Sequence, residues 1–296
     1  MMREIRHERY VEWADEVLSV AQKVLQDWPA EQPSDAGDFF PSIAHSICIS
    51  HMERLKAAAT LYRVGLGNHA APFVRIAYEE NTWIYYLASI EDCQLRNELL
   101  IRMANLNMMQ RVRKQNTFFG EDEAKATGFL GPAHNELVPQ FEKNLQSFEE
   151  LAIKLGWPSR RERGGYPGAL PKIAWLAEKR FGEKHPVHGF LAECSSQYVH
   201  FSAYQTMRAV TKGPDGSASY SDAFQRGIDS GFALGWLTEL LIDCFMPART
   251  WFSPVLDFED QWLRHWPTQM ARIQNDLRSY GLPALIYAAD LVRPEK

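Results

Sequence analysis

The sequence predicts an all-α protein, a single multi-helix domain of about nine helices spanning residues 1–296. Two observations carry that expectation. Apolar residues recur at three- and four-residue steps along nearly the whole chain, and no stretch sustains the two-residue alternation of a half-buried strand. The composition, 46% hydrophobic and 23% charged over 296 residues, is that of a globular chain able to bury a large core without disulfides or metals. It excludes a disordered, collagenous or low-complexity protein. A net charge of -5 excludes a generally basic nucleic-acid coat but leaves room for a local basic groove.

The elements follow in order. Val11, Ala14, Val17, Leu18, Ala21, Val24, Leu25 and Trp28 place one stripe on a first helix, over about 3–28, which Pro29 and the run to Gly37 stop. A second helix is expected from Ser42 to Arg63, ending at the Gly65/Gly67 pair. Asn68 is positioned to cap a third, with Pro72 in its first turn, running through Tyr86. A fourth starts near Asp92 and reaches Lys114, and Gly120 to Pro132 reads as an acidic connection. A fifth covers His134 to Leu155. The arginine- and glycine-rich run from Ser159 to Gly168 has no apolar face to dock and reads as a mobile loop. A short helix over Pro171–Phe181 and a long one over Pro186–Thr211 come next, then a turn over Lys212–Ser219. Helices over Ser221–Phe245 and Phe258–Tyr280 complete the chain, and no repeat or long linker divides it.

Several function classes lack a motif. There is no phosphate-binding GxxxxGK[ST] loop, no dinucleotide GxGxxG, no GxSxG and no HExxH. Cys48, Cys93, Cys194 and Cys244 form no CxxC pair and read as buried thiols of a reducing compartment. The charged N-terminus is unlike a signal peptide, and the most apolar window, Gly231–Met246, carries Glu239 and Asp243 and is too short to span a bilayer. A cytoplasmic protein without a membrane segment is expected.

Two polar clusters stand out against this apolar background. Arg75 and Glu79 are four apart in the third helix, hence on one face, among Phe73, Val74, Ile76, Ala77 and Trp83. In the seventh, Glu193, Ser196, His200 and Tyr204 fall on one stripe, offering a proton donor or acceptor with hydroxyl neighbours. The commoner roles are an internal ion pair for Arg75/Glu79 and a hydrogen-bonded core histidine for His200. Arg111, Arg113 and Lys114, with Arg160, Arg161 and Arg163, make basic spots that can meet phosphates, although solvated loop charge is the ordinary explanation. His185/His188, His45 and His51 lack the Glu-x-x-His pairs of helical di-iron proteins, so no metal or other cofactor is expected.

Arg75-x3-Glu79 in an aromatic-rich helix, followed by Ser196-x3-His200 with Phe201-Ser202, resembles a bacterial all-helical family known only as a domain of unknown function. The resemblance covers roughly residues 42–210; the first helix and the segment 221–280 pack outside it. A more distant analogy is to the HEPN helical proteins, many of them RNases of toxin and phage-defence systems. Their Arg-x4-6-His motif is absent, since Ser196, Ser195 and Cys194 stand four to six before His200. The family itself implies no activity; the HEPN analogy suggests a stress or phage-defence protein that cuts or binds RNA, with Arg75, Glu79, Ser196 and His200 as the catalytic candidates. Glu193, Tyr204, Arg111, Arg113 and Lys114 would then bind substrate. The alternatives are a non-enzymatic scaffold or small-ligand-binding homodimer and, third, a metal-dependent helical oxidase. A homodimer is expected because the segment 221–245 is apolar on more than one face.

Overall fold

A computed structural model describes residues 8–28, 37–126, 134–181, 189–192, 195, 198, 210–212, 218–220, 223–252 and 265–283. The fold is all-α, as the periodicity predicts. Its helices are α1 (Glu8–Gln26), α2 (Phe40–Arg63), α3 (Ala71–Ala88), α4 (Cys93–Ala126), α5 (His134–Lys154), α6 (Arg160–Arg163), α7 (Ile173–Phe181), α8 (Ala223–Phe252) and α9 (Trp266–Tyr280). A 3-10 turn over Gly67–Ala70 leads into α3. Between α7 and α8, β1 (Val210–Lys212) pairs antiparallel with β2 (Ala218–Tyr220), Thr211 opposite Ser219. The expected helix to Thr211 therefore ends before Val210, where Val-Thr supplies two β-branched residues suited to extended backbone.

Other boundaries also move. Asn68 does not cap α3: it sits inside the 3-10 turn, whose own cap, Leu66, makes no side-chain bond. Asp92 does cap α4, its Oδ1 accepting from the Gln94 and Leu95 amides at 2.9 and 3.1 Å. Helix α4 continues through Gly120 to Ala126. One glycine costs only about 1 kcal/mol, and the following Glu-Asp-Glu-Ala-Lys-Ala contains strong helix formers.

The chain forms two compact units. The first contains α1, nearly all of α2, α3, the end of α7, the hairpin, α8 and α9. Its axis is α8, buried from Ile228 to Ile242 with α3, α1, α9 and the 3-10 turn packed on it. Two glycines set the closest approaches. A methyl group at Gly67 would stand 2.5 Å from Ser230 Oγ, and one at Gly235 would stand 2.5 Å from the Pro283 ring. Each glycine therefore lets a neighbouring side chain pack directly on its backbone, and Trp236 Nε1 donates to the Pro283 carbonyl at 2.9 Å while Tyr10 OH donates to that of Gly281 at 2.8 Å.

The second unit comprises residues 34–40 and 89–176, with α4 packed on α5. Arg96, fully buried, anchors it: its guanidinium donates to the Ile90 carbonyl and to Asp38, and lies 5.0 Å from the Phe40 ring centroid. The supposed loop over Ser159–Gly168 is instead folded around α6. Ser159 and Glu162 make a reciprocal capping box. Arg163 is buried, pairs with Glu149, and donates to the carbonyls of Pro158 and Ala169. An arginine, not an apolar face, docks this segment.

Candidate functional site

Two places in the molecule have the chemistry of a site, one in each unit. In the first unit α3 projects polar side chains in three directions. Arg75 Nε donates to Glu79 Oε1 at 2.6 Å, and its Nη1 donates to the Ala192 carbonyl at 2.7 Å. Arg75 thus meets the backbone four residues before Ser196. Ser196, His200, Glu193 and Tyr204 themselves lie outside the described residues. Nearby, Tyr198 donates to Asp229 at 2.7 Å.

One residue on from Glu79, Glu80 turns toward α2. It accepts two bonds from Arg54, at 2.5 and 2.8 Å, and lies 3.3 Å from His51 Nε2. That His51 contact is close in distance but poorly directed, so neither ring nitrogen has a well-formed bond. Burial holds the His51 pKa below its ordinary value, which keeps the ring neutral near neutral pH. Burial alone would raise Glu80, but the close approach of His51 and the two bonds from the Arg54 guanidinium together outweigh it and hold the carboxyl below the usual range.

Asp243 on α8 is the hub of the third direction. Asn81 Nδ2 donates to it at 3.0 Å, Tyr85 OH at 2.7 Å, and Arg180 Nη2 to both oxygens at 2.9 and 2.8 Å. The Arg180 guanidinium lies 3.3 Å from the Tyr85 ring centroid. Burial, and then the charge of Asp243, drive the Tyr85 pKa far above its ordinary value, so the phenol serves as a fixed donor. Cys244 follows, fully buried, its Sγ 3.4 Å from that of Cys48; both are free thiols. Among the described residues no group of three or more His, Cys, Asp or Glu is arranged to hold a metal ion.

This network is electrostatically closed. Arg75 meets Glu79, Arg54 meets Glu80, and Arg180 meets Asp243. Each guanidinium already has a carboxylate, so little positive charge is left to hold a phosphate. The Arg75/Glu79 edge of this network is legible in the sequence, and the larger part is not. The sequence signal for that part is Asp243, a carboxylate in the most apolar helix; Glu239, one turn earlier, accepts instead from Gln274 and Arg278. Among the described residues no helix is long and apolar enough to cross a membrane.

In the second unit α4 and α5 leave a cleft of about 710 Å³. Gln110, Lys114 and Phe118 line it from α4 at four-residue spacing, one helix face. Phe141 and Leu145, again four apart, line it from α5, and Tyr166 and Pro167 contribute from the segment after α6. Gly168, at φ 77°, lies against the same walls: a methyl group there would approach Leu145 Cδ2 to 3.1 Å. Of the three basic candidates in α4, Lys114 faces the cleft and Arg111 is exposed outside it. The side chain of Arg113 lies outside the described residues. The cleft is open, with Lys114, Phe118, Tyr166 and Pro167 exposed, and its volume and mainly apolar lining fall in the range of small-molecule sites.

Comparison with family models, with curated proteins and with solved structures finds no match to this chain.

Proposed function

We propose that this chain is a helical ligand-binding protein, holding a small, largely apolar molecule in the α4–α5 cleft of its second unit. One observation carries the reading: five apolar or aromatic residues and two polar ones converge on a concavity of small-molecule size. The closed Arg/Glu/Asp network of the first unit fits a packing role beside it, since its charges are spent on one another. The proposal is of a cytoplasmic protein acting without a metal. The test is a fluorescence titration of the full chain with a neutral apolar dye such as N-phenyl-1-naphthylamine. Saturable binding is expected, lost in Leu145→Glu with the far-ultraviolet circular dichroism unchanged. A dye that fails to bind, or binds the variant equally, overturns the reading.

A second reading, an RNA-binding or RNA-cutting protein, draws support from the Arg75 bond to the Ala192 carbonyl, which ties α3 to the chain just ahead of Ser196 and His200. Loss of RNA retention in both Arg75→Ala and His200→Ala, with melting temperatures near the parent, would favour it. Unchanged retention would remove it.

A further inference from the structure

We infer that the α4–α5 cleft selects an amphipathic monoanion, an apolar body ending in one carboxylate; the inference rests on the ligand-binding reading above and gives it a substrate class. Among the described residues lining the cleft, Lys114 is the only charged side chain and none is a carboxylate. It makes no ion pair with a described side chain, unlike Arg75, Arg54 and Arg180 in the first unit. Arg111, three residues earlier on α4 and exposed, adds positive potential on that side of the helix.

The arrangement along α4 separates the two halves of such a ligand. Gln110 and Lys114 occupy successive turns, so an amide donor and an ammonium stand about one helical turn apart. Phe118 follows one turn further, more than four-fifths exposed, and faces the cleft together with Phe141. A carboxylate at Lys114 would sit beside the aromatic carbon of Phe118, and because Lys114 is itself exposed the attraction is that of a surface ion pair. The lysine stem adds methylene surface to the apolar wall while its head meets the charge. Gly168 sits against this wall: its φ of 77° disfavours a side chain, and a methyl group there would crowd Leu145 while meeting Leu106 and the Gln110 amide at ordinary contact distance. One cation suits one anionic charge. A polyphosphate would need several, and a cationic amphiphile would face repulsion from Lys114.

The experiment displaces the bound neutral dye from the full chain with decanoate, decanol and decyltrimethylammonium at low salt. Decanoate is expected to displace it at the lowest concentration and the cation at the highest. Lys114→Gln is expected to weaken decanoate about fivefold and leave decanol unchanged, with Lys114→Arg restoring most of the preference. If the dye binds but the three compounds compete equally, or Lys114→Gln changes nothing, the anion selectivity is overturned while the ligand-binding reading stands. If the dye does not bind at all, both fall together.

Discussion

Asp243 accepts bonds from Asn81, Tyr85 and Arg180, so its removal takes a carboxylate from all three, although Asn81 still donates to the Leu240 carbonyl and Tyr85 to the backbone carbonyl of residue 243. Its side chain is only about one-fifth exposed. Asp243→Ala should destabilise the chain by about 3 kcal/mol, measured by urea unfolding. Glu79 looked from its apolar setting as though it would be equally costly to lose. At 40% exposure, however, water can take over its half of the pair, and Glu79→Ala should cost about 1 kcal/mol or less. The acid limb of stability has its own signature. Burial holds both His51 and His45 below their ordinary 6.5 in the folded state, so below pH 6.5 the unfolded chain takes up protons that the folded chain does not. Their stabilisation is therefore present above that pH and lost as it falls, and Glu80, also held low, adds a further loss below 4.5. Glu239 acts oppositely: burial raises its pKa, and its contribution is present below 4.5 and lost as pH rises. The urea midpoint should fall between about pH 7 and about pH 5, less steeply in His51→Gln than in the parent. An equal slope in the two proteins would assign the acid sensitivity to other groups.

The helices show where residue patterns suffice and where they do not. Helix α1 was legible because its apolar stripe is long and regular, and its observed buried residues include Val17, Ala21, Val24 and Leu25 from that stripe. Helix α8 was legible as a buried element, though not as the axis on which α1, α3 and α9 converge. The segment around α6 was misread because its docking residue is charged: periodicity counts apolar side chains, whereas Arg163 is buried through carbonyl groups and Glu149. Ser159-x-x-Glu162 was the local clue, a capping box written in the sequence. Trypsin should therefore spare the bond after Arg163, read by mass spectrometry of early fragments. Glu149→Ala, which leaves Arg163 buried without its carboxylate, should cost about 3 kcal/mol and open that bond. Early cleavage after Arg163 in the parent would show that the segment is not held as described.

At the scale of the whole molecule the sequence identified the all-helical class and one edge of the polar network. The cleft escaped it because Gln110, Lys114, Phe141 and Leu145 are ordinary residues on their own helices, and only the pairing of α4 with α5 gives them a common space. The original reason for a dimer also changes. The apolar faces of α8 are covered by helices of the same chain and unit, so its composition no longer calls for a second copy. The central claim, that the second unit binds a small apolar ligand between α4 and α5, is tested most directly by photolabelling the full chain with an alkyl diazirine and mapping the modified peptides. Labels should concentrate on α4 around Gln110–Phe118, on α5 around Phe141–Leu145 and at Tyr166, and should disappear under competition by excess unlabelled ligand. Labelling spread evenly over the chain, or centred on the first unit and indifferent to competitor, would contradict the account.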